Sequence, residues 1–308
     1  MNILSQIREL RNLPGPLHLA IGVFDGVHLG HQKVIQTALK GAENSGGTAV
    51  VVTFDPHPIR VLRPDKAPRL LASLGHKTRV LLSIGVRNLL IQAFDENFAE
   101  LTAESFVTQL VEAGQPLKQI CVGRDWRFGH QRKGDHHLLK AMGQEHGFTL
   151  DAIDPVTCPT GEVVSSTRIR KAIRTGNFDN ARILLGRDYS VLGTVVKGRQ
   201  LGRTIGFPTA NLRVFNEELP PSGVYAVKAQ RNDGTNMPGV ANLGLRPTVE
   251  DEAPRRQLEV HLFDFKDDIY GEELEIHFSK FIRPEQKFEN LDALKAQIAR
   301  DVEAVKSI

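Results

Sequence analysis

Cysteine is almost missing from this sequence: 308 residues contain two, Cys121 and Cys158. Two thiols exclude a disulfide framework and a structural zinc site, and they fit a reducing, cytoplasmic setting. Long hydrophobic runs are also lacking. No stretch approaches the roughly 18 consecutive apolar residues that span a bilayer, so no membrane association is expected. The segment Met1 to Gly15 carries Arg8, Glu9 and Arg11 and has no apolar core of a secretory signal. An excess of one charge is missing too, because a net +3 is too small to argue for a nucleic-acid partner. What is present is ordinary globular composition, 41% hydrophobic and 24% charged. At roughly 150 residues per domain, the length suits two domains.

The two parts differ in texture. Residues 1–185 hold 22 Lys and Arg against 17 Asp and Glu, and residues 186–308 hold 17 against 19, giving net charges of +5 and −2. In the first part, β-type runs at Leu17–Val23, Ala49–Phe54, Asn88–Ala93, Gln119–Val122 and Phe148–Ile153 alternate with helical patterns. The latter include Gln32–Glu43, Ala103–Ala113 and Asp135–His146. Thr102 reads as an N-cap and Gly114 as the stop of the second helix. Alternation of this kind predicts an α/β domain with a parallel sheet covered on both faces. After Gly186 the helical period gives way to short alternating segments broken by Gly, Pro and Asn-Asp turns: Tyr189–Val196, Gly223–Gln230, Pro238–Leu243, Gln257–Phe263 and Leu274–Phe278. These predict a small antiparallel β-barrel. An amphipathic helix, Leu291–Val305, capped by Asn290, closes the chain.

Two constellations carry chemistry. The run Leu17–Val23 leads directly through Gly22, Phe24, Asp25, Gly26, His28, Gly30 and His31 into a helix. A strand-to-helix turn in such a sheet places ligand beside the positive end of a helix, and glycine admits a phosphate close to backbone. His28 and His31 can then donate hydrogen bonds as charge builds on that phosphate; the plainer alternative is an ordinary turn with exposed histidines. Ser165, Ser166 and Thr167, followed by Arg168, Arg170 and Lys171, offer hydroxyls and cations to a polyphosphate, or else cap a solvated basic helix. Asp55-Pro56-His57-Pro58 is a rigid post-strand turn or a ligand contact. The run Gly123–Gly129, with Arg124, Trp126, Arg127 and Phe128, stacks on a ring, binds RNA or is a structural loop. In the second part, Gly198, Gly202 and Gly206 recur every four residues among cations including Arg203, a pattern suited to a flap over phosphates. Thr209 and Asn211 project the same way from an extended segment, as two neutral oxygens for Mg²⁺ or as turn caps. Strand alternation puts Glu259 opposite the aliphatic face of Leu258, Val260 and Leu262, as a base beside Mg·ATP or as a solvated carboxylate.

Taken together, Gly22–His31, Thr53–Pro58, Gly123–Gly129 and Ser165–Arg170 resemble the adenylyltransferase half of bacterial bifunctional riboflavin kinases/FMN adenylyltransferases, the FAD synthetases, in the nucleotidyltransferase superfamily. Pro208–Asn211, Gly223–Ala226, Gly239–Gly244 with Arg246–Thr248, Glu259–Phe265 and Asp268–Gly271 are similar, in that order, to the riboflavin kinase half. The resemblance runs from about Ala20 to the end of the chain. It implies a Rossmann-like α/β domain over residues 1–185 and a six-stranded Greek-key barrel with a C-terminal helix over 186–308. It further implies that His28, His31, Ser166, Thr167 and Arg168 serve ATP phosphates, with Gly22, Phe24, Asp25, Gly26 and Gly30 shaping that site and Phe54 and Asp125 on the flavin side. For the kinase it implies Thr209 and Asn211 as Mg²⁺ ligands and Glu259 as the base on the riboflavin 5′-hydroxyl. The expected substrates are riboflavin, FMN and ATP. Trp126 stands where the family has phenylalanine, a change of packing more than chemistry, and Asp188 stands where it commonly has proline, which loosens the linker. Two rival readings compete. In one, a single half is active and the other only binds. In the other, the barrel binds RNA, which its negative charge opposes.

Overall fold

The computed structural model describes residues 1–198, 202, 205–246 and 255–308. The chain packs as two compact units, one of residues 1–69 and 77–166, the other of residues 70–76 and 167–308. In chain order the elements are β1 (Asn2–Leu4), β2 (Leu17–Ile21), α1 (Leu29–Ser45), β3 (Thr48–Asp55), α2 (Pro58–Leu62), α3 (Leu74–Ser83), β4 (Asn88–Ala93), α4 (Glu96–Ala99), α5 (Ala103–Ala113), β5 (Leu117–Gly123), α6 (His136–His146) and β6 (Thr149–Ile153). There follow α7 (Ser166–Arg174), α8 (Phe178–Leu185), β7 (Ser190–Val196), β8 (Ala210–Val214), β9 (Gly223–Gln230), β10 (Asn236–Arg246), β11 (Arg255–Leu262), β12 (Glu273–Arg283) and α9 (Leu291–Lys306). No helix among the described residues is long and apolar enough to cross a membrane.

The first unit is built on a parallel six-stranded sheet in the order β1-β4-β3-β2-β5-β6. Period-two alternation sends successive residues to opposite faces. Leu19, Ile21, Val50 and Val52 enter one apolar core with Phe106, Val107 and Leu110 of α5. Ala20 and Val51 enter the other with Ile35 and Ala38 of α1. Both faces are therefore covered, which explains why the strands read as near-continuous apolar runs. The expected caps form: the Thr102 side chain accepts from the Ser105 N–H, and Gly114 ends α5. Helix α1 starts earlier than the sequence pattern implied. It opens at Leu29 with His28 as its N-cap, because an imidazole nitrogen can stand in for a capping oxygen. Cys121 is buried and its thiol is pushed upward by burial, so it stays protonated and inert.

The second unit holds a closed antiparallel barrel in the order β10-β11-β8-β7-β12-β9. The sixth strand, β8, is the one the alternation did not reveal. Its core joins Tyr225 and Phe278 to Phe178 of α8, whose ring stacks on Phe278 at 5.7 Å. Asp188 accepts a hydrogen bond from Arg182, an ion pair at the position of the missing proline.

Residues 70–76 are built into this unit by a buried polar network. Asn216 accepts the Leu192 N–H at 3.0 Å and donates to the Leu71 carbonyl at 2.7 Å and to His76 Nδ1 at 3.0 Å. Those partners fix the amide orientation and leave the His76 proton on Nε2, 3.2 Å from Glu275, which also accepts from Ser190 at 2.6 Å. Burial opposes ionisation of Glu275, but the hydrogen bonds from His76 and Ser190 outweigh it and bring its carboxyl from 4.5 down to about 2. A depressed carboxylate stabilises the fold fully above its unfolded pKa and loses that contribution as pH falls towards its folded value. Glu275→Gln should therefore cost up to about 3 kcal/mol at pH 7, and urea unfolding should show the deficit shrinking as pH drops from about 4.5 towards 2. A deficit that does not change with pH would contradict this.

Candidate active sites

In the first unit, β3 flanks β2 on one side and β5 on the other, so the strand order reverses between β2 and β5. Ligands of open α/β sheets bind outside the carboxyl ends of the strands at such a switch point. The segments following those two strands are the ones the motifs picked out. After β2, the chain passes through Gly22 to a tight turn in which Phe24 has φ 52°, Gly26 φ 81° and Val27 φ 42°. Left-handed backbone at Gly26 needs no Cβ relief, but Phe24 and the β-branched Val27 store strain of about 1–3 kcal/mol each. Surrounding packing holds them there, with Phe24 and Val27 both buried.

The turn delivers His28 to the N-terminus of α1. Its Nδ1 accepts the His31 N–H at 3.3 Å, which leaves Nε2 as the donor nitrogen. The two imidazoles stack with centroids 3.5 Å apart, and Phe24 packs edge-on against His31. Gly30 lies in the first turn of the same helix. Ser166, at the start of α7, donates to the Asp25 carbonyl at 3.0 Å. Thr167 and Arg168 follow Ser166 along α7 and belong to the second unit. Phe54, at the end of β3, is buried among Phe94, Phe98 and Phe106. Asp125 is exposed just beyond β5, where its neighbour Arg124 pairs with Asp154. Trp126 stacks on Phe128 at 4.5 Å, so in this structure it serves packing. His57 caps α2 by accepting the Ile59 N–H at 3.2 Å.

In the second unit, antiparallel pairing sets Asn211 of β8, Glu259 of β11 and Asn242 of β10 directly opposite one another across three strands. Leu258 and Val260 point into the core, as alternation required, and Glu259 faces a cavity of about 290 Å³. Thr209, Glu259 and Asn242 line one wall, Leu294, Ile298 and Asp301 of α9 another, and Val224, Val240, Phe207 and Phe288 give the interior its apolar surface. Asn211 is buried, and its Oδ1 accepts a hydrogen bond from Gln257. His261 donates from Nδ1 to the Pro208 carbonyl at 2.8 Å, holding the segment that carries Thr209 against β11. At the mouth of α9, Arg283 grips Asp301 bidentately at 2.7–3.1 Å.

The glycine-rich stretch approaches this wall. A Cβ on Gly198 would stand 2.3 Å from the Asn211 amide, so glycine is required for the amide to sit where it does. Gly202 also lines the cavity, and Gly206 turns with φ 88°. Arg203 lies outside the described residues. Among the described residues no cluster of three His, Cys, Asp or Glu forms a metal centre. The neutral oxygens of Thr209 and Asn211 nonetheless suit Mg²⁺, which keeps much of its water and takes oxygen ligands sparingly from protein. Sequence reasoning assigned no role to Asn242, His261, Arg283 or Asp301. Asn242 carried a signal inside the Gly239–Gly244 run, and His261 by sharing the Glu259 face of its strand.

Comparison with known proteins covers both units. Residues 11–168 match the FAD synthetase family and residues 185–308 the riboflavin kinase family. The bifunctional riboflavin kinase/FMN adenylyltransferase of Escherichia coli strain K12 is 43% identical over 302 residues, covering 98% of this chain and 96% of that one. The protein of the same description from Haemophilus influenzae is 39% identical over 304 residues, 98% of each chain. A crystal structure described as a macrolide-efflux protein from Streptococcus pneumoniae superposes with a TM-score of 0.84 at 32% identity, covering 100% of both chains. With a nucleotide-type switch point in one unit, a Glu-lined pocket in the other and full-length relatives on both, the chain belongs to the bifunctional riboflavin kinase/FMN adenylyltransferases, which make FAD from riboflavin and ATP.

Proposed function

We propose that the barrel cavity phosphorylates riboflavin and the turn at Gly22–His31 adenylylates FMN. The observation that carries the first assignment is the row Asn211–Glu259–Asn242 set in register, of which Glu259 and Asn242 line one cavity together with Thr209. The apolar walls from Val224, Val240 and Phe288 suit a flat flavin ring, and the polar row suits the ribityl chain and phosphates. The 5′-hydroxyl oxygen attacks the γ-phosphorus of ATP, the bond from that phosphorus to the β,γ-bridging oxygen breaks, and ADP leaves. Glu259 takes the hydroxyl proton, worth roughly 10²–10⁴ in rate. Thr209 and Asn211 would hold Mg²⁺, which would neutralise charge on the phosphates. Gly198, Gly202, Arg203 and Gly206 cover the triphosphate.

In the α/β unit, an FMN phosphate oxygen attacks the α-phosphorus of a second ATP and pyrophosphate leaves. That nucleophile is already anionic near pH 7, so the task is to bring two anions together rather than to remove a proton. His28, at the positive end of α1, and His31 donate to the phosphates, and Ser166, Thr167 and Arg168 supply further donors. Gly22, Phe24, Asp25, Gly26 and Gly30 shape the turn, while Phe54 and Asp125 lie towards the flavin. The two boundaries, 1–185 and 186–308, mark these working halves along the chain. A cytoplasmic location is supported by the scarcity of cysteine. Neither half calls for a nucleic-acid or membrane partner.

Gly198→Ala tests the flap directly. The added methyl displaces the Asn211 amide, so riboflavin kinase turnover should fall about tenfold or more and need higher Mg²⁺, with FMN adenylylation unchanged. Normal Mg²⁺ dependence in this variant would show that Asn211 does not hold the metal. Incubating the protein with riboflavin and MgATP and separating flavins over time should show FMN first and FAD later. Absence of FMN would refute the kinase assignment.

A further inference from the structure

Buried lysines are uncommon, because an ammonium without partners is costly to desolvate. Lys77, on α3, is one of them. Its Nζ donates to the Val23 carbonyl at 2.8 Å and lies 3.4 Å from Thr53 Oγ1, which donates to the same carbonyl at 3.0 Å. Val23 immediately precedes the turn in which Phe24 and Val27 are held at positive φ. The far side of that turn is fixed by Gln32, whose amide donates to the Val27 carbonyl at 2.9 Å, and by Ser166 on the Asp25 carbonyl. Burial pulls the pKa of Lys77 below that of an ordinary ammonium, and Asp25 and Asp55, the charged groups that face it, act in the opposite direction. Nothing in the phosphate-transfer scheme above uses Lys77. It nevertheless makes a 2.8 Å hydrogen bond to the backbone on the β2 side of the strained turn.

We propose that Lys77 is a positioning residue for adenylyl transfer: its buried Nζ–H donor pins the Val23 carbonyl and holds the strained turn so that His28 meets the reacting phosphate. This rests on the assignment of adenylylation to Gly22–His31. A carbonyl held by two donors, the Lys77 amine and the Thr53 hydroxyl, resists rotation of the peptide that leads into Phe24 more than one held by the hydroxyl alone. Release of that grip lets Phe24 and Val27 relax towards negative φ. The imidazoles stacked at the end of the turn then shift, and a displacement near 1 Å is enough to cost about 10² in rate.

The test uses the full chain, with its riboflavin kinase activity as an internal control. Lys77→Met keeps the aliphatic stem and deletes the hydrogen-bond donor. Its FMN adenylylation kcat should fall about 10²-fold, with KM for ATP and FMN within threefold and kinase activity retained. In Lys77→Ala, ethylammonium added to the assay should restore part of the lost turnover, which a purely space-filling role would not allow. Thr53→Val removes the second donor to the same carbonyl and should lower kcat by a smaller factor, about fivefold. An adenylylation kcat within threefold of wild type in Lys77→Met would overturn the proposal. So would loss of the thermal transition of the α/β unit in Lys77→Met together with a wild-type kcat in Thr53→Val. His28→Ala assayed in parallel separates the two ideas. If that variant still makes FAD, the assignment of the turn fails; if it is dead while Lys77→Met is active, only the role of Lys77 fails.

Discussion

His28→Ala should reduce conversion of FMN to FAD by about 10²–10³-fold, so that the variant turns riboflavin into FMN and stops there. The expectation follows from where the imidazole sits. His28 caps the 17-residue helix α1, where the unsatisfied N–H groups and the helix dipole favour negative charge. Its Nδ1 accepts the His31 N–H, so Nε2 is the nitrogen that carries the proton and can donate to a phosphate. Alanine removes that donor and also the cap, which by itself costs about 1 kcal/mol of stability. His28→Asn separates the two effects, since asparagine caps well but has no imidazole to stack on His31 at 3.5 Å. If His28→Asn forms FAD at the wild-type rate, capping is the whole role of His28. If His28→Ala itself forms FAD unimpaired, adenylyl transfer occurs elsewhere.

The converse result is expected of Glu259. Glu259→Ala should lower riboflavin phosphorylation by about 10²–10⁴-fold and leave supplied FMN convertible to FAD. Glu259 stands between Asn211 and Asn242 in register, on the face of β11 that opens to the cavity. Glu259→Gln keeps the shape and polarity but cannot accept a proton. It should therefore retain riboflavin binding, seen as quenching of flavin fluorescence, while losing turnover to a similar degree. Equal loss of both half-reactions in either variant would mean that Glu259 acts on the fold rather than on the hydroxyl.

How much of this was legible beforehand depended on whether the signal was local. Strand β4 and helix α5 have the bounds their patterns implied, because period and caps are properties of neighbouring residues. The outward aim of Glu259 was legible for the same reason, through the buried Leu258 and Val260 beside it. Strand β8 was not, since Ala210–Val214 is short and its pairing with β7 and β11 is decided by residues far along the chain. Nor could the sequence place β2 between β3 and β5, the arrangement that creates the switch point. Asp301 had no pattern of its own, and Asn242 had one only as part of the Gly239–Gly244 run; a barrel strand and a terminal helix bring them to one cavity. The reach of residues 70–76 into the second unit was equally hidden. It rests on Asn216 contacting Leu71 and His76, pairs more than a hundred residues apart in sequence. Helix α1 was misjudged at its start because histidine is a rare cap.

Double-labelled ATP tests most directly whether one chain breaks this nucleotide at two different bonds in two places. With riboflavin and ATP carrying ³²P at the γ position and ¹⁴C in adenine, ³²P should appear first in FMN and later in FAD. The ¹⁴C should enter FAD alone, in equal molar amount. Glu259→Ala should abolish ³²P transfer to flavin yet still attach ¹⁴C-adenylate to added FMN, and His28→Ala should do the reverse. Loss of both labels from flavin in either variant would contradict two independent sites.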